Sequence, residues 1–221
     1  MVAKLSFYEQ VGILIPGGLF LAAALSIVPG ASAFLSPRDV TIGEFGIFMI
    51  VAYASGHAVA ALGNILESAW WYLRRGMPTD WVVQNDDRIL STEQKRVLLE
   101  NINSAFGTNL LQIVGINRSQ WTPIGRQIYR YSLTINPTRI DVFNGNYGLN
   151  RGLAAALFSL AILNEFVAPQ YGYLSLALGI VGLIFLYRMN RFAINFAREV
   201  YLVFLNAKAP SPASPAARPV T

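Results

Sequence analysis

The stretch Tyr53–Glu67, Y-A-S-G-H-A-V-A-A-L-G-N-I-L-E, decides how the rest of the chain is read. It closes an apolar run that opens at Ile42, and it holds the only histidine, His57. At about 1.5 Å per residue, Ile42–Leu66 as one helix is long enough to cross a hydrocarbon core of about 30 Å. On such a helix Tyr53, His57, Ala60, Ala61, Asn64 and Glu67 fall on one stripe, with His57 and Asn64 about 20° out of register after two turns. His57 lies about 22 Å from the Ile42 end and about 14 Å from Leu66, well inside the hydrocarbon. Polar groups at that depth are costly against lipid. The stripe Tyr53, His57, Asn64 and Glu67 is therefore expected to face other helices or a cavity.

Composition points the same way. Of 221 residues 54% are apolar and 13% charged, where a soluble domain carries about 25% charged residues. Mean hydropathy is +0.43. The absence of cysteine excludes disulfides, thiolate metal sites and a cysteine nucleophile. A single histidine excludes a histidine-rich metal site within one chain. No cofactor, metal or nucleotide signature is found: there is no P-loop, no dinucleotide fingerprint and no H-E-x-x-H.

Working outward, Val11–Val28 is a first apolar run that contains Pro16-Gly17-Gly18. The proline should kink or loosen a helix there, and the glycines should allow close helix approach. Lys4 and Ala31-Ser32-Ala33 imitate a signal peptide and its cleavage site, but the run is longer than the 7–15 residues of a typical signal core. It is read as a retained span. Pro29 to Thr41 is a loop. After the second span come Trp70, Trp71, Tyr72, Arg74 and Arg75, the residues that a membrane interface selects.

Residues 73–140 read as a soluble helical insertion. Ser91-Thr-Glu-Gln94 is a capping box for a helix reaching Phe106, with Gly107 as its stop. Thr122 and Pro123 are expected to open a second helix, which Asn136-Pro137 breaks. A third helix starts near Thr138 and leads into a short span at 152–167. The turn Pro169–Gly172 returns the chain through a fourth span at 173–187. Arg188, Arg191 and Arg198 then line one face of a basic amphipathic helix ending near Asn206. Residues 207–221 are low-complexity and expected to be disordered.

Charge sets the orientation. Residues 67–151, which include the insertion, and the C-terminal segment 188–221 hold fifteen of the seventeen Lys and Arg; Arg38 and Lys4 complete the set. The positive-inside rule then puts both termini and the insertion in the cytoplasm. The net charge of +5 and pI near 9.6 are thus an orientation signal, not a nucleic-acid footprint. The fold expected is all-α: a four-span transmembrane bundle with a small helical cytoplasmic insertion between spans 2 and 3. Its divisions are 1–72, a hairpin with spans 11–28 and 42–66; 73–140, the insertion; 141–206, the second hairpin with its basic helix; and 207–221, the tail.

Candidate sites follow from depth. Glu67 and Arg151 should lie at similar levels at the cytoplasmic ends of spans 2 and 3, placed for an ion pair. Arg188, Arg191 and Arg198 suit anionic lipid headgroups or an acidic partner surface. No catalytic residue is assigned, because no nucleophile has a base within reach and Asp86-Asp87 reads as a loop or cap. The sequon Asn117-Arg-Ser119 is expected to be cytoplasmic and unused.

Pro16-Gly17, Gly56-His57, Leu62-Gly63-Asn64, Glu67 and Tyr147-Gly-Leu-Asn-Arg151 together resemble uncharacterised multi-pass membrane proteins of bacteria. The resemblance implies an inner-membrane location and carries no activity. The expected function is an oligomeric membrane effector or channel-like assembly with a regulatory insertion. A scaffold recruiting a soluble cytoplasmic partner is the alternative, and an intramembrane or lipid-modifying enzyme stands behind both. The partners expected are the lipid bilayer, further copies of the chain and a cytoplasmic protein, with no nucleic acid.

Overall fold

A computed structural model of the chain describes residues 10–31, 41–85 and 88–207. Lys4, Ser32-Ala33, Arg38, Asp86-Asp87 and residues 208–221 lie outside them. Every regular element among the described residues is helical. A wide π turn, Gln10–Leu14, leads into α1 (Ile15–Ile27). The next element is α2 (Ile42–Leu73), followed by the short α3 (Pro78–Trp81), α4 (Thr92–Phe106) and α5 (Arg118–Ile135). The long helices α6 (Pro137–Val167) and α7 (Gly172–Asn206) complete the fold, joined by a 3-10 turn at Pro169–Tyr171.

The helix ends have local causes. Thr41 accepts from Glu44 N while the Glu44 carboxylate accepts from Thr41 N, a capping box that starts α2. Ser91 and Gln94 do the same for α4, and Gly107 ends it at φ 63°, a conformation that favours glycine. The start of α5 differs from the sequence reading. Asn117, not Thr122, is the cap, its side chain accepting from Ser119 N at 3.2 Å. Pro123 sits inside the helix, where its missing N–H removes one backbone bond, that to the carbonyl four residues earlier. The Pro16 irregularity is absorbed by the π turn just before it.

The chain divides into two compact units. One comprises the chain up to Arg75 with Asp141–Ala193; the other, Gly76–Ile140 with the chain from Ile194. In the first, α1 and α2 meet backbone to backbone. A Cβ added at Gly17 would lie 2.2 Å from the Ala52 carbonyl oxygen, and one at Gly56 would lie 2.3 Å from that of Ile13. Glycine is required at both. Pro16 packs on Gly152 of α6, and Phe158 of α6 packs on Gly182 of α7.

In the second unit Leu98, Ile102, Trp121, Ile128 and Ile140 are buried together with Val200, Tyr201 and Phe204 of α7. The sequence reading gave the insertion a small core of its own and assigned residues 194–206 elsewhere. The apolar side of that basic helix instead enlarges the insertion's core.

Among the described residues two segments, not the four expected, are long and apolar enough to cross a membrane: Ile42–Trp81 and Pro169–Asn206, with mean hydropathies of 1.8 and 1.6 over their most apolar stretches. Only 17% and 22% of those stretches are buried. Val11–Ile27 is a shorter apolar helix, and the first half of α6, through Asp141, Asn144, Asn146 and Asn150, is polar.

Candidate functional site

The side of α2 that packs within the first unit is lined by Ala52, Gly56, Val59, Gly63 and Trp71. These are mostly small residues, and they set how near α1 and α6 come. Val59 joins Ala155 and Ala156 of α6 in a small apolar cluster, with Phe20 of α1 against it.

Near the C-terminal end of α2 the packing becomes polar. Glu67 and Trp71 stand one turn apart on α2, and Tyr147 and Arg151 one turn apart on α6. The Arg151 guanidinium pairs with the Glu67 carboxylate, their side chains only 12% and 17% exposed. The Tyr147 hydroxyl hydrogen-bonds to Glu67 and accepts from Trp71 Nε1 at 2.9 Å. Gly63 makes room for this arrangement: a Cβ there would lie 3.3 Å from Arg151 Cγ. Burial first, and then the Glu67 charge, hold the Tyr147 phenol well above the ordinary tyrosine range. It therefore remains a donor to the carboxylate throughout the physiological pH range.

Two further polar contacts tie the helices. Asn164 of α6 is buried and donates to Ser175 Oγ at 2.9 Å and to the Tyr171 carbonyl at 3.1 Å. Trp70 Nε1 of α2 donates to Asn190 Oδ1 of α7 at 3.4 Å.

The stripe read from the sequence is divided. Glu67 is brought to Arg151, and Tyr53 is half-buried with its ring edge-on to the His57 imidazole at 4.7 Å. His57 and Asn64 are exposed, on the side of α2 away from its buried residues Gly56, Val59 and Gly63. The cause is a rotation of about 100° on the helix: Gly56 and Gly63, each one residue earlier, take the packed side. On the outer side His57 and Asn64 align with Ala54, Ala61 and Ser68, all exposed.

The basic face is divided as well. Arg188 and Arg191 are exposed in the first unit, while Arg198 lies in the second and donates to the Arg88 carbonyl at 3.2 Å. The asparagines in the first half of α6 bind their own helix, Asn146 to the Val142 carbonyl and Asn150 to that of Asn146. Among the described residues no three of His, Cys, Asp or Glu gather as metal ligands.

Sequence reasoning missed the Thr41–Glu44 cap and the part played by Trp71 and Tyr147. The T-x-x-E signature at 41–44 and the i,i+4 spacings 67/71 and 147/151 were the available signals. No family model, no curated protein and no solved structure matches the chain.

Proposed function

We propose that the chain is a bacterial inner-membrane protein that crosses the bilayer four times and self-associates through the outer side of α2. On this reading it works as an oligomeric effector or channel-like assembly and performs no chemistry of its own. The fifteen Lys and Arg of residues 67–151 and 188–221 support a cytoplasmic location for the insertion and the C-terminal segment. α1 and the second half of α6 supply the two spans beyond α2 and α7, shielded by their packing on Gly17, Gly56 and Gly152.

One observation carries the reading: His57 midway along α2 and Asn64 two turns later are exposed, on a helix whose other outward residues after the capping Glu44 are apolar, aromatic or small. An amide left unpaired in hydrocarbon costs about 4 kcal/mol or more. A second copy removes that cost. Neutral imidazole and carboxamide each carry a donor and an acceptor, so the same pair of residues on two copies is self-complementary. The small residues Ala54, Ala61 and Ser68 on the same side of the helix permit a close crossing. In a larger ring the same stripe lines a polar path.

The mass of the detergent-solubilised protein tests this. The native chain is expected at a multiple of its 24.3 kDa protomer. Asn64→Leu should weaken association by about 1 kcal/mol, and His57→Leu with Asn64→Leu should give monomer and abolish dye leakage from liposomes. A monomeric native chain contradicts the proposal.

The scaffold reading is favoured by a separate observation, the 96% exposed Leu111 on the insertion. A soluble protein that co-purifies until Arg188, Arg191 and Arg198 are neutralised, with liposomes remaining tight, would select it.

A further inference from the structure

The Trp70–Asn190 hydrogen bond brings the basic end of α2 beside the basic stretch of α7. The Arg74 guanidinium lies over the Trp70 ring, 4.7 Å from its centroid. Arg191 directly follows Asn190, and Arg188 precedes Arg191 by three residues, its guanidinium 5.8 Å from the Phe192 centroid. All three arginines are exposed, and among the described residues none of the three has a carboxylate partner. Tyr72 and Tyr187, 87% and 59% exposed, precede Arg74 and Arg188 by two residues and one.

We propose that this rim, Arg74 with Trp70 on one helix and Arg188 and Arg191 on the other, binds the phosphate of acidic phospholipid headgroups. Guanidinium forks match phosphate oxygens two at a time. The ring contacts limit how far Arg74 and Arg188 swing, so less freedom is lost on binding. The three charges directly follow outward-facing apolar windows, at the level where a leaflet carries its phosphates, and Trp and Tyr concentrate at that level. A headgroup anchored in a bilayer is thus favoured over a phosphate free in solution. The inference rests on the membrane reading above.

The test uses the full chain in mild detergent, with retained lipid counted by native mass spectrometry. Phosphatidylglycerol should be retained over phosphatidylcholine, and Arg74→Gln with Arg191→Gln should cut that retention about tenfold. Arg96→Gln, on the exposed side of α4, should leave it unchanged. Equal retention of the two lipids, or an unaffected double variant, overturns the site. Displacement by inorganic phosphate as effective as that by added phosphatidylglycerol also overturns it, and assigns the rim to free phosphate. Alkaline carbonate washing of membranes separates the two failures. Release of the native chain removes the membrane reading itself, whereas retention without lipid discrimination removes only the headgroup site.

Discussion

The two compact units follow opposite rules. In the unit built on α4 and α5, large apolar side chains such as Trp121, Leu98 and Ile128 are inside, and the Arg96–Glu93 pair stands outside at 58% and 69% exposure. In the unit built on α2 and α6 the order is reversed. Ile47, Ile50, Ile65, Leu176 and Leu183 are between 58% and 71% exposed, while Glu67, Arg151, Asn164 and Asn190 are paired within. The first pattern is that of a surface in water. On the membrane reading proposed above, the second is that of a surface in hydrocarbon, where small residues and polar contacts replace the hydrophobic drive as the means of joining helices.

If the comparison holds, removing Trp121 damages only the water-type unit. Trp121 is 1% exposed, and its Nε1 donates to the Thr79 carbonyl. Trp121→Ala should cost about 4 kcal/mol and expose the insertion to limited proteolysis, with membrane extraction unchanged. In the other unit the large effect should come from charge. Arg151→Ala, which strands the Glu67 carboxylate, should cost about 3 kcal/mol as read by thermal unfolding in detergent. Glu67→Arg combined with Arg151→Glu should recover part of that loss; no recovery would separate the stability of the unit from the pairing.

Gly56→Val comes next. A Cβ there meets the Ile13 backbone at 2.3 Å, so the π turn before α1 must withdraw from α2 at about 2 kcal/mol, measured by the same unfolding. The smallest effect belongs to Arg96→Ala. Its hydrogen bonds hold the Glu93 carboxyl below the usual carboxylate range, a contribution present at neutral pH and lost as pH falls through the depressed value. Both groups are in water, so no measurable shift of the unfolding temperature is expected at pH 7.

What the sequence made legible was local or one-dimensional. The Ser91–Gln94 box and the Gly107 stop depend on neighbours within one turn. Depth counted along two spans was enough to set Glu67 opposite Arg151. The face of α2 was a different matter. Periodicity groups His57 with Asn64, but it leaves open which side the companion helices occupy. Gly56 and Gly63 determine that side, because only there can α1 backbone and the Arg151 side chain approach. In the same way, Arg188, Arg191 and Arg198 marked the exposed face of α7, while Ala197, Val200 and Tyr201 on its other side completed the insertion's core. The Asn117 cap was obscured by Thr122-Pro123, an equally acceptable start on local grounds.

The contrast between the units can be measured directly, because the chain has no cysteine of its own. Single cysteines placed at Ile65, Leu183 and Leu111 would carry spin labels in the reconstituted protein, and their collisions with oxygen and with a water-soluble nickel chelate would be compared. Labels at 65 and 183 should meet oxygen and be shielded from nickel, while the label at 111 meets nickel freely. Ready access of nickel to 65 and 183 would contradict the account.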